Sequence, residues 1–252
     1  MENISASELK PVLSTVGNRR DLGIPANANP PYINPPTLVV LDTPNNIYAS
    51  PRAILTASHI QPGNSTAQIS YHANDDGPRD TNVSVVFDFW WENSSPNLVL
   101  LTNIASHLTI NGKWEVDAAC YVLYPYTNLA GISSWARLRI VEFWSQPPSS
   151  PPYEGSQDSI VASIDVFGGW CPTSPPGHPS TNKREWVFNK SYGVKYSSLE
   201  VPAKGTAVFE VRLQTWTDIA GGPCIAEVDS SIVCPSLQFK VTEVIQKGPP
   251  LP

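Results

Sequence analysis

The sequence predicts an all-β protein, an antiparallel β-sandwich of the Greek-key or jelly-roll type. Short runs rich in β-branched and aromatic residues alternate with turn residues from Thr37 onward. Within several runs, alternate residues divide into an apolar side and a mixed side, as in half-buried strands. Hydrophobic residues make up 41% of the chain and aromatic residues 10%, which predicts a packed core.

The first 36 residues predict an irregular arm. A helix-compatible piece, SASELKPVLSTVG, is limited by Pro11. The segment GIPANANPPYINPP is dominated by proline, asparagine and alanine, which favours an extended chain. Residues 248–252 are expected to form a short tail.

Strands and turns follow the arm in regular succession. Asn111-Gly112 separates SHLTI from KWEV and predicts a hairpin with a type I′ turn, because both residues tolerate positive φ. Pro202 and Gly205 predict another turn, before AVFEVRLQTW. In chain order, the predicted strands are TLVVLD, RAILTASHI, AQISYHA, NVSVVFDFWW, NLVLLTN, KWEVDAACYVLY, SWARLRIVEFW, SIVASIDVF, EWVFNKSYGVKY, AVFEVRLQTW, CIAEVD and LQFKVTEVI.

Two long proline-rich loops interrupt the strands, at 146–157 and 171–183. Central strands cannot run through them, because proline donates no ladder hydrogen bond. We predict one sandwich domain over residues 37–247. In an alternative, the first loop links two smaller sandwiches, at 37–145 and 158–247.

Charge and hydropathy exclude several partners. The net charge is -6 and no run of lysine or arginine supplies a basic stripe, so no nucleic-acid partner is expected. No stretch approaches 18 apolar residues, so no membrane-spanning helix is expected. The start, MENISASELK, lacks the basic and apolar regions of a signal peptide, which predicts a cytoplasmic protein.

The cysteines and histidines form no recognised site. Cys120, Cys171, Cys224 and Cys234 are too widely spaced for a CxxC motif and are interpreted as buried thiols, although spacing alone leaves their redox state open. Cys224 and Cys234 flank IAEVDSSIV, where they could face each other across a hairpin. The scattered histidines lack metal-binding spacing, and HANDDGPRD is interpreted as a solvated turn. Neither a metal nor a cofactor is predicted.

Strand alternation indicates the candidate binding residues. In NVSVVFDFWW, SWARLRIVEFW and AVFEVRLQTW, one side is apolar and the other combines tryptophan with charged residues. Indole rings beside guanidinium groups can stack on sugars, bind anions or anchor a protein partner. The candidate residues are Asp88, Trp90, Trp135, Arg137, Arg139, Arg212 and Trp216.

Three hypotheses about function follow. The leading one is a non-catalytic, lectin-like protein that binds a glycan or a protein surface through these residues. The second is a self-assembling, coat-like structural protein that forms homo-oligomers. The third is an enzyme whose strands close into a barrel around a polar pocket. The absence of a nucleophile elbow or nucleotide-binding loop leaves catalysis open. The expected pocket residues are Asp88, Glu115, Asp117, Arg137, Arg139, Glu210 and Arg212.

Overall fold

The computed structural model describes residues 32–33, 35–74, 80–120, 128–143, 153–154, 159–168, 180–220 and 224–245. These residues form two antiparallel sheets that share one hydrophobic core, which confirms the predicted β-sandwich. Across the described ranges, no helix has the length and hydrophobicity needed to cross a membrane. Most of the predicted arm, both proline-rich loops and the tail lie outside these ranges, apart from short pieces such as 153–154.

Within the described ranges, the strands follow in sequence, and a 3-10 turn at Arg52–Ile54 lies between the third and fourth. They are β1 (Tyr32–Ile33), β2 (Thr37–Leu41), β3 (Asn46–Ser50), β4 (Leu55–His59), β5 (Ser65–Asn74), β6 (Asp80–Glu92), β7 (Val99–Cys120), β8 (Asn128–Phe143), β9 (Tyr153–Glu154), β10 (Ser159–Gly168), β11 (Ser180–Val201), β12 (Thr206–Ala220), β13 (Cys224–Cys234) and β14 (Leu237–Ile245).

The strand order is that of a jelly roll. The first sheet runs β11-β7-β13-β5-β4. Strands β13 and β14 pair with successive parts of β7, and β14 pairs on its other side with β1 and β2. The second sheet runs β10-β8-β12-β6-β3, with β9 beside β8. The eight strands β5–β8 and β10–β13 can be renumbered 1 to 8 in chain order. They then form sheets in the orders 1-8-3-6 and 2-7-4-5, so the chain repeatedly crosses between the two layers.

Both sheets draw strands from both halves of the chain. In the first sheet β7 pairs with β11 and β13, and in the second β6 pairs with β12. Residues Ile33–Ile245 form one compact unit. The alternative of two separate sandwiches requires instead that each sheet be built from one half.

The core contains the apolar sides that strand alternation predicts. Phe209 stacks on Phe239 with ring centroids 5.5 Å apart. The fully enclosed indole of Trp114 donates a hydrogen bond from Nε1 to Ser230 Oγ at 2.7 Å. The predicted core residues that are buried are Val83, Val85, Phe87, Phe89, Ala136, Leu138, Ile140, Phe209, Val211 and Leu213.

The hairpin predicted at Asn111-Gly112 is wrong. Both residues lie inside the 22-residue strand β7, opposite Asn189 and Phe188 of β11. Glycine is required there for another reason, because a Cβ on Gly112 would meet the carbonyl oxygen of Asp229 and lie 2.6 Å from the Cα of Ser230. Glycine inside a strand marks a close approach of a second backbone as well as a turn.

Asn103 changes which side of β7 faces the core. Its φ of 54° is left-handed, a conformation that asparagine tolerates better than most residues. On its C-terminal side the buried residues are even-numbered, beginning with Ile104, and on its N-terminal side they are Leu101 and Val99. The buried positions of β11 shift at the same level, from Val194 to Leu199. The two strands therefore stay paired while both exchange faces.

The proposed hairpin geometry for two cysteines is also wrong. Cys224 and Cys234 occupy opposite ends of β13, so they cannot face each other across a turn. Both are buried, as predicted for structural thiols. Burial raises the pKa of the Cys234 thiol to about 12, which keeps it protonated and unreactive. Cys171 and the side chain of Cys120 lie outside the described residues.

Candidate functional site

The outer surface of the second sheet collects most of the predicted binding residues. Strands β8, β12 and β6 are adjacent, and their mixed sides point away from the core. We call this surface the arginine–tryptophan face. It is formed by Asp88, Trp135, Arg137, Arg139, Glu210, Arg212 and Trp216.

The register of β12 with β8 and β6 arranges the face in rows across the strands. Glu210 lies opposite Arg139 on one side and Asp88 on the other. In the next row Arg212 lies opposite Arg137. The row after that pairs Gln214 with Trp135, and then Trp216 with Ser133. A carboxylate end, an arginine centre and an indole end therefore follow one another along the strands.

The indole end is a compact cluster. The rings of Trp135 and Trp216 meet edge to face, with centroids 4.7 Å apart and planes at 85°. The guanidinium carbon of Arg137 lies 5.7 Å from the Trp135 ring and 5.5 Å from the Trp216 ring, within the range of cation–π attraction. All three side chains are half-buried, so part of each remains open to solvent.

The carboxylate end is tied to its neighbours. Tyr48 donates its hydroxyl hydrogen to Glu210 Oε1 at 3.1 Å, and Arg139 Nη1 lies 3.5 Å from Glu210 Oε2. Trp90 Nε1 donates to Asp88 Oδ2 at 2.9 Å. Burial raises the pKa of Asp88, the hydrogen bond from Trp90 opposes this shift, and the nearby charge of Glu210 adds to it. Burial likewise raises the pKa of Tyr48.

Trp90 lies beside Asp88, to which its Nε1 donates a hydrogen bond, but it is far from the indole cluster. It is 54% exposed, and it lies eight residues along β6 from Asn82, the residue opposite Trp216. At about 3.3 Å per residue, that separation is about 26 Å. Six of the seven candidate residues therefore belong to the arginine–tryptophan face, and Trp90 adjoins its carboxylate end through Asp88.

Two further residues contribute to this face: Tyr48, which was not predicted, and Gln214, whose outward position was predicted although it was not among the candidate binding residues. Tyr48 lies on β3, a five-residue strand whose alternation buries Ile47 and Ala49 and turns Tyr48 outward. The side chain of Gln214 is buried on β12 and donates from Nε2 to Asn82 Oδ1 at 3.2 Å. The alternating pattern of NIYAS was the available signal for Tyr48.

The barrel arrangement predicted for an enzyme is not the one found. Glu115 and Asp117 lie on β7 in the other sheet, on the side opposite the buried residues Trp114 and Val116. The two mixed faces thus point away from each other, with the apolar core between them, so they cannot line one lumen.

The mixed face of the first sheet carries an ion-pair network. Glu115 pairs with Lys183 and with Lys113 at 3.2 Å, and Lys113 also pairs with Glu185 at 2.8 Å. The hydrogen bond from Lys183 is the largest influence holding the pKa of Glu115 below its usual value, and Lys113 acts in the same direction. This network accounts for Glu115 without a ligand.

Neither a second cleft nor a metal-binding cluster involves the arginine–tryptophan face. A cleft of about 230 Å³ is lined by Trp91, Thr37 and Glu243 among others, and Asn97 donates to Glu243 at 2.9 Å. No residue of the arginine–tryptophan face lines it. Among the described residues, no group of histidine, cysteine, aspartate and glutamate is arranged to hold a metal ion. Part of the predicted HANDDGPRD turn, residues 75–79, lies outside the description.

Comparison with known proteins shows no family for this chain. No protein-family model and no curated protein matches it. Among solved structures, a chain in "Structure of infectious bursal disease virus Gt strain" is similar at 12% identity, over 84% of this chain and 42% of that one. The present chain thus spans less than half the length of that protein. The TM-score of 0.12 is too low for the likeness to support any argument about fold or function.

Proposed function

We propose that this protein is a non-catalytic binding protein that holds a glycan on the arginine–tryptophan face. The observation that carries the proposal is the cluster of Trp135, Trp216 and Arg137, in which two indoles and a guanidinium meet on an outward sheet face. Sugar rings stack on indoles through their C–H faces, while guanidinium, carboxylate and amide groups bond their hydroxyls.

The polarity of the face favours a glycan over a protein surface. Two valines on the same side of β6 and β12, Val86 and Val208, are only 2% and 7% exposed. The accessible groups are therefore indole, guanidinium, carboxylate and phenol. The centre of a protein–protein interface is typically more apolar and poorer in charged groups than this.

The test is a glycan-array screen followed by titration of the best ligand against Trp216→Ala. Loss of a stacked indole is expected to weaken binding by at least about tenfold, equivalent to about 1.4 kcal/mol. Trp90→Ala is the control, because it removes an exposed indole that adjoins Asp88 on the same sheet, about 26 Å from Trp216.

Equal effects of the two substitutions would contradict the proposal, and so would an array with no bound glycan. Circular dichroism of each variant checks that the sandwich is intact. A Trp216→Phe variant, which keeps an aromatic ring, is expected to retain more affinity than Trp216→Ala.

A second candidate function is self-assembly, and strand β2 is the observation that favours it. Its sequence, TLVVL, is uncharged, and Leu38 and Val40 are 60% and 51% exposed. Within the described strands, β2 pairs on one side with β14 and has no strand on its other side. An apolar edge strand can add a strand from another chain.

The long edge strand β11 contrasts with β2. Among the described strands it pairs with β7 alone, yet Lys190 occupies a core-facing position of its alternation, between the buried Phe188 and Tyr192. A charge at an inward-facing position on an edge strand blocks pairing with another chain. We therefore propose β2 as the assembling edge.

Light scattering after size-exclusion chromatography tests this candidate over a range of concentrations. Self-assembly predicts a mass that rises with concentration and falls to the monomer in Val40→Lys. The matched control is Val187→Lys, which adds the same charge at a residue 78% exposed on β11. A monomer at every concentration would exclude assembly of the chain by itself.

A further inference from the structure

Strand β2 leaves two aliphatic side chains exposed at the edge of the first sheet. Leu38 and Val40 point outward, while Val39 and Leu41 pack against the core. Among the described strands, β14 pairs with one side of β2 and no strand lies on the other. The backbone N–H and C=O groups of an edge strand can pair with a strand of another chain. An apolar strand with such an edge suits a partner strand that is itself apolar.

The other described edge strands of five or more residues are less suited to pairing. Strands β4 and β10 each contain a register irregularity, and such bulges twist an edge away from a partner. Strand β11 carries the charged Lys190 at a core-facing position. Strand β3 buries its aliphatic residues, Ile47 and Ala49, so it has no aliphatic side chain for a partner to cover. Among the described edges of a second copy, the best match for β2 is therefore β2 itself.

Antiparallel pairing of β2 with itself matches its exposed side chains. A two-fold axis at Val39 pairs all five residues and places Leu38 directly opposite Val40 of the partner subunit. Directly opposite residues have Cβ atoms about 4.5–5.5 Å apart, so the two side chains touch. The same axis places Val40 opposite Leu38 of the partner subunit. Every exposed aliphatic side chain of both strands is therefore covered, and no charge of β2 meets a like charge.

Strand β14 supplies a polar border for this contact. Lys240 lies opposite Leu38 and Gln238 opposite Val40, and both polar side chains are exposed. A row across the four strands would contain Lys240, Leu38, the partner's Val40 and the partner's Gln238. An apolar centre with a polar rim is typical of interfaces between protein chains.

We infer that β2 pairs antiparallel with β2 of a second copy of this chain, around a two-fold axis at Val39, so that the first sheets of the two molecules become continuous. This inference rests on self-assembly, the second candidate function, and adds the partner strand and its register. A two-fold contact uses the same surface on both copies and closes, so assembly through it stops at a dimer. A contact of five residues per chain is small, so the dimer is expected to dissociate on dilution.

The experiment is disulfide cross-linking of the full chain, with Leu38→Cys and Val40→Cys oxidised singly and as an equal mixture. In the mixture the two cysteines lie directly opposite, within the Cα separation of about 4.4–6.8 Å that a disulfide allows. Cysteines at the same position in both copies are offset by two residues, about 7 Å along the strands in addition to the spacing between them. We expect a covalent dimer from the mixture and its loss in either variant alone.

Val187→Cys is the matched control, because it places a cysteine at an exposed valine of β11 and reports cross-linking by random collision. The parent chain reports the background from its own cysteines, and circular dichroism checks the fold of each variant. Light scattering of the parent chain is an independent measurement. Its mass is expected to rise with concentration and to level off at twice the monomer mass.

The outcomes separate the inference from the candidate function on which it rests. A parent chain that stays monomeric as it is concentrated would overturn self-assembly and the inference together. Assembly that Val40→Lys abolishes but that grows beyond a dimer would keep β2 as the assembling edge and overturn the two-fold pairing. Cross-linking of the mixture no greater than that of Val187→Cys, or of either variant alone, would also overturn the pairing and its register.

Discussion

Trp114 is the largest fully buried side chain in the described core, and its indole nitrogen donates its hydrogen bond to Ser230. Ser230→Ala leaves that N–H buried without an acceptor. A buried donor left unsatisfied costs about 1–3 kcal/mol. We expect urea denaturation to show a loss of this size in the free energy of unfolding.

The control for this pair is a double-mutant cycle. Trp114→Phe removes the donor and also some packing, so in that background the further change Ser230→Ala should cost much less. If Ser230→Ala destabilises both backgrounds equally, the hydrogen bond is not the source of the loss.

Asp88 predicts a dependence of stability on pH. Because its folded pKa is raised, mainly by burial, its contribution to stability is fully present below the unfolded pKa of about 4 and is lost as pH rises through the folded value. Asp88→Asn keeps an acceptor for Trp90 and removes the titration. We expect this variant to be more stable than the wild type at neutral pH, with the advantage vanishing in acid.

Glu115→Gln is expected to change the pH dependence of stability in the opposite direction. The pKa of Glu115 is lowered, chiefly by its bond with Lys183, so its contribution is present above the unfolded pKa and is lost as pH falls. Urea denaturation from neutral to acidic pH should show this variant less stable only at the neutral end. Parallel curves for the two variants would contradict both assignments.

At the scale of the strand, Gly112 and Gly193 form a natural comparison. A Cβ at Gly112 would collide with the backbone of β13, whereas nothing lies within 4 Å of one at Gly193. Forcing a methyl group into a packed site costs about 1–3 kcal/mol. We expect Gly112→Ala to lose at least that much free energy of unfolding.

Gly193→Ala is the control, and it is expected to be neutral or to stabilise by up to about 1 kcal/mol, because glycine is unfavourable inside a strand. Equal losses in the two variants would show that β13 does not approach β7 at Gly112 as closely as described.

Local patterns predicted most strands but not how some of them join. Alternation of apolar residues identified the core sides of β6, β8 and β12, because burial on one face depends only on strand periodicity. Asn111-Gly112 was misinterpreted because the close packing of β13 against Gly112 is a contact between distant segments. Strand β3 was not predicted, because its five residues lie between Asn45 and Pro51, which are typical turn residues.

The candidate site was partly predictable for the same reason. The alternation of residues along each strand predicted outward positions for Trp135, Arg137 and Arg212. Only the jelly-roll order, however, makes β8, β12 and β6 neighbours. Alternation along a strand carries no information about distance along it, so it could not show that Trp90 adjoins Asp88 and lies far from the indole cluster. Ligand binding by these residues stays a prediction.

For the whole molecule, the shared sheets predict cooperative unfolding. Each sheet contains strands from both sides of residues 146–157, so neither half can keep its sheet partners when the other unfolds. We expect tryptophan fluorescence and far-ultraviolet circular dichroism to report a single, coincident urea transition. Two separated transitions would support independent sandwiches at 37–145 and 158–247.

The left-handed residue in β7 has a consequence for tolerance to substitution across the sheet. A valine or isoleucine at position 103 resists positive φ, and a regular strand there would turn Val99 and Leu101 toward solvent. Its partner β11, locked in register, would expose Leu199 and Val201 as well. One surface asparagine thus governs the burial of four aliphatic side chains, although its own side chain contributes nothing to the core.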